Sequence, residues 1–542
     1  SWQRISPDLT TNDPKYQRQA KSGGLTIDNS TAENYTTIYA ISESPKNDQV
    51  IWVGTDDGNL QITQDGGKSW TNVVANVPDL PKRTWVSHVT ASPFDQGTAF
   101  VTFDGHRTGD MKTYLYETQD FGKSWKSLVT PDIHGFAHVA LQDSVDPDLL
   151  FLGTEFGLYV SLDGGSHWAR FASGLPEVPV RDLAIQPRSG DLLIATHGRG
   201  IYILDDLTPL RHLTGANLES KVAMLPSRPA VMVLNNELQD FPGDAEFVGQ
   251  NPPEAAPIVY YLKKRHIFGD LRVEIYDAQG KKISTLPGGR RRGINRVEWP
   301  MRMAPPKVPP ANSLAAAFVG PRVPEGTYTV KLIKGSKTYT STVTLVPDPR
   351  NDHSAADRKL QQTTTLALYH DLGRLTYLVD AVIDLRDQAR ASAKEVGAKS
   401  RWGKRLNGYA DELDAFRKTL VASGPGGMLS GEEQLREELA NLYGSVSSYD
   451  GKPSDSQLAR QKDLEGKLAS AEKRFAALSS SSRLAPFNRV LEGHKKKALT
   501  VLSHQAWEKK QKEQGGGSVA LGEDGENAGA LLEGMTTALG GL

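Results

Sequence analysis

The chain contains no cysteine, which excludes disulfides, thiolate-held zinc and thiol catalysis. It also lacks charge of one sign: 63 Lys and Arg stand against 64 Asp and Glu. No general affinity for nucleic acid or for a membrane surface is therefore expected. No apolar run approaches the roughly 18–20 residues of a membrane span, so none is expected, and no signal peptide is visible at Ser1. The 12 histidines show no metal-ligand spacing. No Gly-rich loop is followed by the Lys-Ser/Thr of a phosphate cradle. No metal and no cofactor are expected. With 542 residues the chain exceeds one ordinary core, and two to four domains are expected.

What is present is a phrase written three times. It runs TQDGGKSW from Thr63 to Trp70, TQDFGKSW from Thr118 to Trp125 and SLDGGSHW from Ser161 to Trp168. The shared form is Ser/Thr-x-Asp-x-Gly-x-x-Trp, and its structural residues are Asp65, Gly67 and Trp70, Asp120, Gly122 and Trp125, and Asp163, Gly165 and Trp168. The Asp carboxylate accepts backbone N–H groups in a tight turn. The Gly takes a conformation that a Cβ resists, and the Trp buries a large ring on the next strand. The phrase resembles the Asp-box (BNR) repeat of sialidase-type, sortilin-type and xyloglucanase-type β-propellers, and the resemblance covers roughly residues 1–213. It is specific for fold; hydrolases, sorting receptors and assembly factors share it.

Around the phrase, β-like runs recur in fours, with Trp-to-Trp steps of 55 and 43 residues, the size of a propeller blade. A fourth repeat, from Val180 to Leu204, loses the box at Asp205-Asp206. Residues 1–213 thus hold about three and a half to four blades, an incomplete ring. An open ring leaves strand edges and an apolar wall exposed. Another polypeptide, a missing N-terminal half or self-association into a homo-oligomer is expected to complete it. Ser1-Trp2 matches the end of a further box, as in Ser69-Trp70 and Ser124-Trp125, so the chain is expected to start inside a blade. Asn29 and Asn34 stand in Asn-x-Thr sequons.

Residues 214–350 hold short strands separated by turns such as Asp277–Gly280 and Pro324–Gly326, which predicts a β-sandwich. Its pattern resembles fibronectin-III-like or immunoglobulin-like modules. The Pro/Ala-rich piece Ala304–Leu314 reads as an inserted loop. From 351 to 514 the period becomes helical, with Leu368, Leu372, Leu375, Val379 and Val382 on one stripe and Leu464, Leu468, Ala471, Phe475 and Leu478 on another. Four or five helices in a bundle are expected. Ser430-Gly-Glu-Glu433 is expected to open the helix carrying Leu435, Leu439 and Leu442. Residues 515–542 are a Gly-rich tail. The fold class is a multidomain β-plus-α chain: a propeller segment, a sandwich and a C-terminal helical bundle.

In a four-stranded blade the turn between the second and third strands lies opposite the box. The resemblance makes that end the ligand face. Those turns supply Asp56 and Asp57, then Asp104, His106 and Arg107, then Glu155, then His197 and Arg199. Neighbouring loops add Lys82, Arg83, His134, His138 and Arg181. Polar turn residues also serve turn geometry alone. The short basic runs Arg290–Arg292 and Lys495–Lys497 read as solvated surface.

Glycoside hydrolysis needs two carboxylates, or a Tyr nucleophile with a Glu in sialidases. Asp57, Asp104 and Glu155 are the catalytic candidates. The Arg-Ile-Pro phrase of sialidases is absent, and only Arg107, Arg181 and Arg199 could serve as their arginines. The expected function is therefore non-catalytic. It is that of a sortilin-like bacterial protein, secreted, periplasmic or on the cell surface, binding peptide or glycan at the propeller mouth and assembling through its helices. The alternative is a sialidase- or xyloglucanase-like glycan hydrolase with part of its site in blades outside this chain.

Overall fold

A computed structural model describes residues 2–18, 21, 35–172, 174–233, 253–311, 317, 319–424 and 432–514. The expectations placed on Ser1, the two sequons, Ser430-Gly431 and the tail from 515 lie outside these residues. The described residues form two compact units interleaved in sequence. One holds Ser1–Ala230, Ala255–Trp299 and Thr327–Leu345; the other holds Val231–Glu254, Pro300–Gly326 and Val346–Leu542.

The first unit opens with four antiparallel sheets, each built from consecutive strands. They are β1–β4 (Ile38–Ser44, Asn47–Thr55, Leu60–Thr63, Thr71–Asn72), β5–β8 (Trp85–Ala91, Ala99–Asp104, Tyr114–Thr118, Lys126–Ser127), β9–β12 (Ala137–Gln142, Leu150–Thr154, Gly157–Ser161, Ala169–Phe171) and β13–β15 (Val180–Gln186, Asp191–Thr196, Ile201–Leu204). Each sheet packs on the next through its first strands, β1 and β2 on β5, β5 and β6 on β9, and β9 and β10 on β13. Successive sheets are thus stacked in chain order by their inner strands. The fourth sheet has three strands. Leu207, Leu210 and Leu213 close its core together with Leu225 and Val259.

The repeated turns share one hydrogen-bond scheme. Asp65 Oδ1 accepts Thr63 Oγ1 (2.8 Å) and Ser69 N–H (2.9 Å), and its Oδ2 accepts Ser69 Oγ (2.6 Å). Asp120 and Asp163 repeat it with Thr118 and Ser124, and with Ser161 and His167. Each turn glycine abuts the outer strand of the sheet before. A Cβ on Gly122 would lie 2.8 Å from Val73, and one on Gly165 3.0 Å from Leu128. Trp168 Nε1 donates to Leu128 O at 3.0 Å. In the first sheet Ile5 takes the same place: Gly67 abuts it, and Trp70 Nε1 donates to its carbonyl at 3.1 Å.

After the short helices α1 (Thr208–Arg211) and α2 (Gly215–Glu219) come β16 (Val222–Leu225), β17 (Ala230–Met232), β18 (Ala256–Leu262), β19 (Leu271–Tyr276), β20 (Lys282–Pro287), β21 (Gly293–Trp299), β22 (Gly326–Lys334) and β23 (Lys337–Pro347). One sheet runs β16-β18-β21, and in another β23, β22, β19 and β20 are successive neighbours. Trp299 of the first meets Tyr328 of the second edge to face at 5.0 Å.

The second unit carries α3 (Ala355–Glu395), α4 (Arg401–Lys418), α5 (Leu435–Ser447), α6 (Asp455–Leu478), α7 (Ser481–Gly493) and α8 (His504–Gln514). Among the described residues these are six helices from Ala355 onward rather than four or five. Ser354, Ser454 and Ser480 accept N–H groups as N-caps of α3, α6 and α7. The apolar stripe of α3 is fully buried from Leu368 to Val382, against Leu464 and Leu468 of α6. The α5 boundary differs from the sequence expectation. Its capping box is Gln434 with Glu437, four residues beyond Ser430 and Glu433, because Glu437 reaches back to the Gln434 N–H (3.1 Å).

The Pro-rich piece from Ala304 is a strap across these helices over its described part. Thr376 Oγ1 donates to Lys307 O (2.7 Å), Arg436 Nε to Pro309 O (3.2 Å) and Tyr443 OH to Val319 O (2.7 Å). Ala317 is buried in the helical core. A run of prolines donates few hydrogen bonds, so its carbonyls are met by side-chain donors from the helices.

Candidate functional site: one rim of the sheet array

One backbone contact recurs at the ends of the second strands. Asp56 N–H donates to Thr37 O (3.1 Å), Glu155 N–H to Phe136 O (3.1 Å) and His197 N–H to Pro179 O (2.9 Å). The strand register agrees: Thr55, Asp104, Thr154 and Thr196 all face the start of their sheet's first strand. The second-to-third-strand turns thus occupy equivalent positions in successive sheets.

Each carboxylate there is already engaged. Asp57 is buried. Its Oδ1 accepts Thr55 Oγ1, and its Oδ2 accepts both the N–H (2.7 Å) and the Oγ1 (2.6 Å) of Thr11. Asp56 Oδ1 accepts Thr37 N–H at 2.7 Å, and burial raises its pKa. Asp104, also buried, receives the backbone N–H of His106 (2.9 Å) and holds its ring Nδ1 at 2.7 Å. Glu155 Oε2 lies 3.1 Å from His138 Nε2 and 3.7 Å from Arg181.

Three rings pack one on the next beside these groups. His106 stacks on Phe136 at 4.5 Å, and Phe136 meets the His138 ring edge to face at 5.1 Å. Burial, reinforced by the Arg181 guanidinium, lowers the His138 pKa below its ordinary value. The Arg107 guanidinium lies 4.2 Å from the Trp85 ring centre, and Tyr39 meets Trp85 edge to face at 4.5 Å. Lys82, Arg107, His134, His197 and Arg199 are exposed. His197 and Arg199 lie in the three-stranded sheet, and no side-chain contact joins them to the His106–Phe136–His138 group among the described residues.

The sequence marks Gln3–Thr37 as a long, mostly polar loop over a propeller face, but not which of its residues meet this rim. Besides Thr11 on Asp57, Asp13 Oδ2 pairs with Arg83 Nη2 at 2.9 Å, and the Arg83 guanidinium lies 3.7 Å from the Tyr16 ring centre. Each member of the Asp13–Arg83 pair stabilises the other's charged form, lowering the Asp13 pKa and raising that of Arg83. Leu9 is buried, and its carbonyl accepts Asn59 Nδ2 (3.0 Å) and Gln61 Nε2 (3.1 Å). Residues 9–16 thus lie gripped by the first sheet's end. Nothing in the local sequence of Thr11 announces a partner 46 residues away.

Among the described residues there is no cluster of three or more His, Asp or Glu suited to a metal ion, and no helix is long and apolar enough to cross a membrane.

No family model and no curated protein matches the chain. Solved structures similar to parts of it include YCF48 bound to a D1 peptide (18% identity, TM-score 0.24, 31% of this chain and 51% of that one). YCF48 from Cyanidioschyzon merolae is 17% identical (TM-score 0.23, 31% and 52%). The GH74 xyloglucanase from Xanthomonas campestris is 13% identical (TM-score 0.24, 59% and 40%). The chain spans about half the length of the YCF48 structures and less of the xyloglucanase.

Proposed function

We propose that this chain is a non-catalytic binding and scaffold protein that grips polypeptide at the end of its sheet array. One observation carries the reading: Asp57 and Arg83 already hold a turning stretch of chain, Thr11 to Tyr16, through a carboxylate, a guanidinium and a ring contact. A rim that binds backbone N–H and side chain together is suited to peptide. The candidate acids Asp57, Asp104 and Glu155 are committed to neighbouring groups, as expected of fixed recognition groups. Within this proposal the sheets are an Asp-box propeller segment of the sortilin-like kind, the strands after Leu213 a fibronectin-III/Ig-like sandwich, and the helices an assembly module. Further blades from another polypeptide or a longer chain complete the ring, self-association being the other route. The place of action is secreted, periplasmic or at the cell surface.

The second reading, a glycan hydrolase, is favoured by one observation: burial raises the Asp56 pKa, the behaviour required of a general acid. Reducing-end release from a panel of β-glucans and sialosides separates the two. The binding reading expects none. Release that disappears in Asp56→Asn or Asp104→Asn, with the fold intact by circular dichroism, would establish the hydrolase instead.

A further inference from the structure

We propose that the open side of the first sheet is the seat of one more blade carrying the same turn, and that Trp2–Ile5 is that blade's outermost strand. This rests on the reading that further blades adjoin the array, and it says which residues receive the next one.

The register is set by three copies of one contact. Val73, Leu128 and Ile5 each stand three residues after a Trp, namely Trp70, Trp125 and Trp2, and each abuts the turn glycine of the following sheet. Val73 and Leu128 also belong to their own sheets. Val73 N–H donates to Leu60 O (2.8 Å) and Leu128 N–H to Leu115 O (3.0 Å), both on third strands. Ile5 has the outward half of this arrangement, toward Gly67 and Trp70, and no third strand on its other side among the described residues.

The inner strand repeats the point. Ile41 pairs with Val53, immediately before Gly54-Thr55, as Ala140 pairs with Leu152, immediately before Gly153-Thr154. Ala140 is buried against Phe100, Leu115 and Leu128 of the sheet before it. Ile41, at the equivalent place, is 67% exposed, with Tyr39 at 57% and Trp2 fully exposed. An apolar patch of this kind, continuous with an interface repeated three times, is fitted by another sheet of the same design. Its third strand must offer a carbonyl to Ile5 N–H, and its turn must end at Trp2.

The test is a chain in which a second copy of residues 84–124, the inner strands and turn of the second sheet, is fused directly ahead of Trp2. Its final Ser then takes the place of Ser1. A parallel fusion uses a copy of residues 137–167 from the third sheet. In at least one of them, the Ile5 amide is expected to exchange at least about tenfold more slowly than in the unfused chain. Ile41→Glu is expected to leave the melting temperature of the unfused chain unchanged and to lower that of the protected fusion. Ile5 exchange as fast in both fusions as without them would overturn the proposal. So would an unfused chain that dimerises and is dissociated by Ile41→Glu, which would assign the face to a second copy. Peptide binding at the Asp57 rim is read separately, so loss of this proposal leaves that one standing.

Discussion

At the scale of single residues, the repeated turns were open to sequence reasoning because Asp, Gly and Trp each do one thing at a fixed offset. Gly122 illustrates this: its φ is +81° and a Cβ there would press on Val73. Gly122→Ala is expected to cost about 1–3 kcal/mol in denaturant unfolding. The turn carboxylates set an acid limit. Hydrogen bonds from Ser69 and Thr63 hold Asp65 at about 2, below its ordinary 3.8. Its stabilisation is therefore complete above pH 3.8 and lost as pH falls toward 2. Melts from pH 5 to 2 should show the loss, and Asp65→Asn should flatten part of it. His138 titrates with the same sign. Its lowered pKa favours the neutral ring, so its contribution is full above about 6.5 and declines below that, observable by imidazole NMR. Asp104, Glu155 and Arg181 are the charged groups that face it. Thr11 and Asp13 escaped sequence reading because a contact between distant loops leaves no periodic trace.

At the scale of elements, the strands of the first four sheets were legible to within a few residues, since apolar alternation and turn residues coincide. Two strands were not. Lys282–Pro287 is an edge strand with no buried residue, so it lacks the alternation that marks a half-buried strand. Val222–Leu225 is too short to show a period. The α5 start moved because Glu437, not Glu433, makes the capping box. Glu437 is fully buried, accepting Ala422 and Gln434 N–H groups (both 3.1 Å) with Arg436 beside it at 3.2 Å. Arg436→Ala is expected to destabilise the helical unit by about 3–5 kcal/mol, because a buried carboxylate loses its countercharge. Pairing it with Glu437→Gln should recover part of that loss in the same chemical denaturation measurement.

At the scale of the whole molecule, the order of β-repeats before helices was plain from the change of period at Asp352. The interleaving was not. Residues 300–326 leave a run of strands to join the helical unit, and a Pro-rich strap carries no amphipathic period to reveal where it docks. The rim has the same property: its turns were predictable from their place in each repeat, while their occupation by residues 9–16 depends on how the chain folds back.

The most direct measurement is a calorimetric titration of a peptide spanning Leu9–Gln17 into the Thr11→Ala/Asp13→Ala chain, whose own segment no longer competes fully for Asp57 and Arg83. The account predicts saturable binding that disappears when Asp57→Asn is added. No binding to this relieved rim, with the chain folded, would contradict it.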